Sequence, residues 1–427
     1  MRPAPTAKEP PGNGTGGQAA VLVLAGTLTI MAGAVVAPAI PGIRAAFSDT
    51  ADVDLLARMT TSAHALAIVL FSPFAGGLSE RMGRKRALVV GMFAFALGGS
   101  SGFYLPDLIS ILAGRVVLGL GVSLVMTNSV ALIADLYEGS ERQRLLGRQT
   151  AAGAFGGVVL LVGGGALAGL GWRTVFLVYL LGAALMIPAL KYLPDIRSQA
   201  PGAATSDSSA PLARRHWPAG LAAALAAMFL GQIAFYSVPV QVPFLVEDHF
   251  HATSVASGAV IAVQTLTTGV VSLRFARIRR LAGERSLVAV AFACIGIGYL
   301  VLFMAPHVAV LAVGTLVMGA GLGVLMPNLN NWVINAAPPE ARSRYAGFLT
   351  TALFLGQFLA PVVTQPVVNA LDIQPLFLVI ALGALLVAAV YLTSARRRTR
   401  AAAASPTPEP RPDDASEQPG RKAGRAH

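Results

Sequence analysis

Long apolar runs alternate with short polar turns along the whole chain. Twelve of these runs reach the length of about 20 residues that a helix needs to cross a bilayer. In the first half they cover 19–41, 55–78, 87–105, 108–135, 148–170 and 174–193. In the second half they cover 217–246, 253–273, 286–304, 307–335, 344–366 and 373–394. The pattern predicts an all-α membrane protein with twelve transmembrane helices. Residues 1–18 are polar and rich in Pro and Gly, which predicts a disordered tail. Residues 194–216, rich in Ser, Ala, Pro and charge, read as a flexible linker between two halves. Residues 395–427 open with Arg396, Arg397, Arg398 and Arg400 and read as a disordered basic tail, its first residues held at the membrane surface.

The two halves are copies of one plan. An offset of 200 residues, with no gap, pairs Gly83 with Gly283, Gly119 with Gly319 and Gly121 with Gly321. It also pairs Met126 with Met326, Asn128 with Asn328, Arg142 with Arg342, Arg144 with Arg344, Gly147 with Gly347 and Gly156 with Gly356. Residues 19–193 and 217–394 are therefore expected to fold as two related six-helix bundles.

Composition agrees: 55% of the 427 residues are apolar and 12% charged, about half the charge of a soluble domain. The net charge of +12 does not indicate nucleic acid, because the cations sit in short turns and a tail. With both termini in the cytoplasm, the inner loops and linker hold eighteen Lys and Arg, against only Arg44, Arg58 and Arg173 outside. The positive-inside rule then fixes the orientation. The Glu247–His251 turn falls outside and reads as a solvated loop, since two spaced histidines and two acids make a poor metal site. Cys294 reads as a packing residue. Phosphate-binding loops and metal-ligand clusters are absent from the sequence, so neither an enzyme nor an ATP-driven pump is indicated, and no cofactor is expected.

The turn between the second and third runs reads Gly76-x-x-x-Glu80-Arg81-x-Gly83-Arg84-Lys85. It resembles the loop between helices two and three of the major facilitator superfamily, with Glu in place of Asp. The fourth run, Leu112-x-x-Arg115-x-x-Leu118-Gly119-x-Gly121, resembles that superfamily's fourth-helix motif, whose arginine in proton antiporters is linked to proton transfer. The fifth run keeps Gly156, Gly164, Gly165 and Gly171-Trp172-Arg173 of the antiporter motif, but Leu160-Leu161 stands where Gly-Pro is usual. The resemblance covers about 19–394 and implies a monomer in the plasma or inner membrane that moves a small molecule by rocking of its halves. It implies that Gly76, Glu80, Arg81, Gly83, Arg84, Lys85, Asp135 and Arg144 form a cytoplasmic latch of the outward-open state.

Ionisable groups are rare inside the runs, so each is a functional candidate. Arg115 either serves proton coupling or reaches outward to Asp107 as a tie. His64 can exchange a proton near neutral pH, or acts as a polar link between helices, as Gln264 at the equivalent position suggests. No Asp or Glu lies at the middle of any run, which favours neutral, anionic or amphipathic substrates over cations. Asn128, Gln232, Tyr236, Gln264, Asn328, Asn331, Trp332 and Gln357 are expected to grip the substrate, or to bond helix to helix. Met31, Met126, Phe155, Met326 and Phe354 could supply an adaptable apolar wall. The leading expectation is proton-driven export of a small amphipathic molecule; the alternatives are proton-coupled import of an organic acid or sugar, and a non-transporting membrane sensor.

Overall fold

A computed structural model of the chain describes residues 16–195, 219–338 and 341–404. The linker and most of both tails lie outside the described residues. Twelve helices among them are long and apolar enough to cross a membrane. The first bundle comprises α1 (Gly16–Ala46), α2 (Val53–Met82), α3 (Arg84–Tyr104), α4 (Leu108–Leu136), α5 (Gly139–Leu170) and α6 (Thr174–Tyr192). The second comprises α7 (Gly220–His249), α8 (Ser254–Leu273), α9 (Glu284–Phe303), α10 (Val308–Ala336), α11 (Arg344–Leu371) and α12 (Ile373–Arg397).

Most boundaries fall within a few residues of the apolar runs. The clear exception is α5, which begins at Gly139 where the run begins at 148. Its first turns, Gly139 to Arg148, are mostly polar and exposed, with Leu145 buried among them. The last helix also continues to Ala404, so the first ten residues of the expected basic tail are helical. Local sequence explains the irregular turns. Pro38 and Pro41 lack the N–H that an α-helix interior needs, and α1 tightens there into a 3-10 turn at Ala37–Ala39. At the α2–α3 connection Gly83 has φ +88°, a conformation that glycine reaches without a Cβ penalty.

Within each bundle, glycines set how closely helices approach, and the 200-residue repeat reappears as repeated contacts. A Cβ on Gly98 would lie 2.5 Å from the Gly114 carbonyl oxygen, and one on Gly298 would lie 2.7 Å from that of Gly314. Likewise Gly119 packs on the His64 carbonyl and Gly319 on that of Gln264. Without a hydrophobic drive between helices in lipid, such backbone contact is the main source of attraction. Buried tyrosines add ties: Tyr179 donates to the Ala32 carbonyl at 2.8 Å and Tyr299 to the Ala234 carbonyl at 2.5 Å.

The bundles meet along α2–α11 and α5–α8. In the second seam, Gly165 abuts the Ser254 carbonyl and Gly258 that of Leu161, each at 2.5 Å from where a Cβ would sit. Side-chain bonds cross between the bundles: Tyr236 donates to the Thr61 carbonyl at 2.7 Å, Arg58 to Gln241 Oε1 at 3.1 Å, and Arg44 to Asp248 Oδ2 at 3.0 Å. All three lie between mid-depth and the end opposite the basic loops. Towards the basic end a cavity opens between α2 and α11.

Candidate functional site

At mid-depth the bundles enclose a cavity of about 250 Å³. Thr29, Ile30 and Met31 of α1, His64 of α2, Met126 of α4, Leu161 of α5, Tyr236 of α7, Thr265 of α8, and Phe354 and Gln357 of α11 contribute to its wall. Gly33 lines it too, because a Cβ there would collide with the Tyr236 hydroxyl and with His64 Cε1. A second cavity of about 510 Å³, between α2 and α11, shares Met126 and Phe354 with the first and reaches Arg344 at the basic end. Together they form a path from the basic end to the centre.

His64 is 3% exposed, and its Nδ1 makes no hydrogen bond among the described residues. Behind it lies Arg115, fully buried, its guanidinium 4.7 Å from the Phe176 ring centroid and 4.8 Å from that of Tyr179. Its charge reaches His64, Tyr179 and Tyr236. The expected tie to Asp107 is not formed. Asp107 instead caps α4, accepting from Ser110 N–H at 2.8 Å, and that bond holds its carboxyl below the usual carboxylate range. No carboxylate pairs with Arg115 among the described residues; the neighbours of its guanidinium are the rings of Phe176 and Tyr179. Two aromatic faces contribute about 1–2 kcal/mol each when desolvated, against a cost of at least about 3 kcal/mol for a charge at bilayer depth.

The predicted gripping residues divide. Gln357 lies on the cavity and donates to Gln232 Oε1 at 3.1 Å, while Gln232 Nε2 donates to Met326 Sδ at 3.4 Å. Tyr236 lines the cavity as well. The others lie off its wall. Asn128 turns back on its own helix, donating to the Leu124 carbonyl at 2.8 Å. Asn328 donates to the Glu284 carbonyl at 2.9 Å, tying α10 to the start of α9. Trp332 packs on Tyr391 and beneath Arg285. Asn331 is half-buried nearer the basic end of α10. Gln264 is buried with neither amide atom hydrogen-bonded among the described residues. Of the apolar candidates, Met31, Met126 and Phe354 face the cavity, whereas Phe155 lines a separate groove between α5 and α8.

Among the latch residues, Arg84 pairs with Asp135 and donates to the Ala131 carbonyl at 3.0 Å, joining α3 to α4. Lys85 donates to the Leu190 carbonyl at 2.8 Å. Glu80, Arg81 and Arg144 are exposed, and Gly76 faces open space. All these contacts stay within the first bundle.

Sequence reasoning missed a cluster at the opposite end. Arg58, counted there as a loop cation, is 1% exposed inside α2. Besides Gln241 it meets Asp54 Oδ1 at 3.3 Å and stacks 4.0 Å over Phe244. Gln241 in turn donates to Thr364 at 2.9 Å. The four-residue spacing of Asp54 and Arg58 was the available signal.

Two pseudo-symmetric six-helix bundles, tied to each other at one end around a mid-depth cavity, have the architecture of a membrane transporter. The family profile described as Major Facilitator Superfamily matches residues 22–308 and 224–424, and the chain belongs to that superfamily. It is 26% identical over 377 residues to the tetracycline resistance protein, class C, of Escherichia coli, covering 82% of this chain and 90% of that one. A methylenomycin A resistance protein of Streptomyces coelicolor is 33% identical over 129 residues, 30% of this chain and 27% of its own length. Among solved structures, the xylose transporter XylE of E. coli superposes with a TM-score of 0.69 at 15% identity, covering 88% of this chain and 95% of that one. The protein is a transporter and not an enzyme.

Proposed function

We propose that the protein exports a small amphipathic molecule from the cell, by proton antiport across the plasma or inner membrane. The observation that carries this reading is the small, mostly apolar cavity holding one imidazole, His64, beside the buried charge of Arg115. Support also comes from the resistance proteins to which the chain is similar. The basic end is then cytoplasmic, and a substrate reaches the cavity from that side. Rocking of the bundles parts Arg58 from Gln241 and Arg44 from Asp248. At the other end α2 closes on α11, with Gly76 and Gly77 as a smooth contact surface and the Glu80–Lys85 turn, Asp135 and Arg144 as the latch. A proton that reaches His64 from outside sets a second positive charge beside Arg115. The cavity then turns to the cytoplasm, where His64 releases the proton; that relieves the repulsion and resets the carrier.

The test is drug accumulation in cells expressing the protein, with and without an uncoupler. Lower retention of at least one amphipathic compound, abolished by the uncoupler and by His64→Gln, is expected. Unchanged retention across a broad panel refutes export. Proton-coupled import of an organic acid is the second reading, favoured by one observation: the cavity wall carries no carboxylate, so a proton on His64 and an anion would load together.

A further inference from the structure

The electrostatics of the path point to the charge of its ligand. The cavities at mid-depth and towards the basic end are lined by no Asp or Glu among the described residues. The side chains on them that can carry a positive charge are His64 at the centre and Arg344 at the rim. Behind His64 stands Arg115, wholly buried and without a counter-ion. The carboxylates that line a cavity, Asp54, Asp248 and Asp372, belong to the pocket at the far end, beyond the Arg58–Gln241 tie.

An uncompensated guanidinium in a low-dielectric wall creates a positive potential that water does not screen. Its two aromatic neighbours hold it from the sides, and no carboxylate among the described residues balances its charge. The cavity is therefore short of one negative charge, and its apolar lining, with Ile30, Met31, Leu161 and Phe354, suits a hydrocarbon body. We propose that the central cavity is an organic-anion site: it takes an amphipathic molecule whose charged group is a carboxylate or similar oxyanion, seated on the His64 side, and rejects the matched ammonium compound. The proposal deepens the functional reading above. It rests on the cavity being the ligand site, which export and import share, and not on direction or coupling.

Calorimetric titration of the purified full-length protein with three probes of one shape tests it: 1-naphthylacetate, 2-(1-naphthyl)ethylammonium and 2-(1-naphthyl)ethanol. The acid is expected to bind at least about tenfold more tightly than the ammonium compound. Arg115→Met should lose that margin while leaving the alcohol's affinity unchanged, and Arg115→Lys should restore most of it. If Arg115→Met does not fold, the wild-type comparison decides alone. An ammonium compound that binds as tightly as the acid overturns the proposal, as does failure of all three probes to bind. Equal weakening of acid and alcohol in Arg115→Met also overturns it, because that is the mark of a purely structural residue. The measurement is made at equilibrium without a gradient, so failure of export or of proton coupling does not alter its outcome.

Discussion

Replacing Arg58 by Met keeps a long apolar stem in α2 and removes the guanidinium that ties the bundles at the closed end. Two of its contacts cross the seam, the 3.1 Å bond to Gln241 and the 4.0 Å stack over Phe244. The contact with Asp54 lies within α2 itself, and Asp54's side chain is half exposed, so it cancels between states. A hydrogen bond from a charged donor is worth about 1.5–3 kcal/mol and a desolvated cation–π contact about 1–2. Water filling the opened end would offset roughly half, leaving about 1.5–2.5 kcal/mol of bias, or a roughly ten- to seventyfold shift in population. Spin labels at Ser48→Cys and Thr253→Cys, in a Cys294→Ser background, would report the separation of the bundles at that end by electron double resonance. Arg58→Met should transfer a large share of the population to a longer distance. Adding Gln241→Leu should bring little further change, since both substitutions cut the same bond. A distance distribution in Arg58→Met that overlays the wild type would refute the reasoning.

Three other outcomes follow from packing and hydrogen bonding. Gly165→Val puts side-chain atoms into the Ser254 carbonyl, 2.5 Å from an ideal Cβ, and should lower thermal stability in detergent by about 1–3 kcal/mol. Gly163→Ala, which meets nothing within 4 Å, should leave the melting temperature unchanged. Asn328→Leu removes the bond to the Glu284 carbonyl and should cost about 1 kcal/mol of stability. Because Asn328 lies off the cavity wall, ligand affinity measured by titration should not move.

The spans and the two-fold plan were legible because bilayer thickness imposes a length on every helix and because the repeat kept its register without gaps. The rotation of each helix was not legible. In lipid both faces of a helix are apolar, so the periodicity that marks the buried side of a soluble helix carries little information. That is why the sequence does not separate Asn128, Asn328 and Trp332 from Gln357 and Tyr236, although Asn128 turns back on α4, Asn328 turns towards α9 and Trp332 packs on α12. Arg58 was misplaced for a related reason. A charge near the end of an apolar run looks like a loop residue until its partner, Gln241, arrives from a helix some 180 positions away. Of the fifth-run glycines, Gly164 packs on the Val35 carbonyl of α1 and Gly165 on the Ser254 carbonyl of α8, whereas Gly156 meets the Thr27 side chain and Gly171 meets nothing within 4 Å.

The repeat places Gln264 where its counterpart is His64, and an amide neither takes up nor gives up a proton at physiological pH. If the imidazole is the coupling group, each turnover exchanges a single H⁺ at that depth. A stoichiometry of one caps the work available at about 2.3 kcal/mol per 100 mV of driving force. That ceiling corresponds to roughly a fiftyfold concentration ratio for an uncharged cargo, well short of what a carrier with two such groups could sustain.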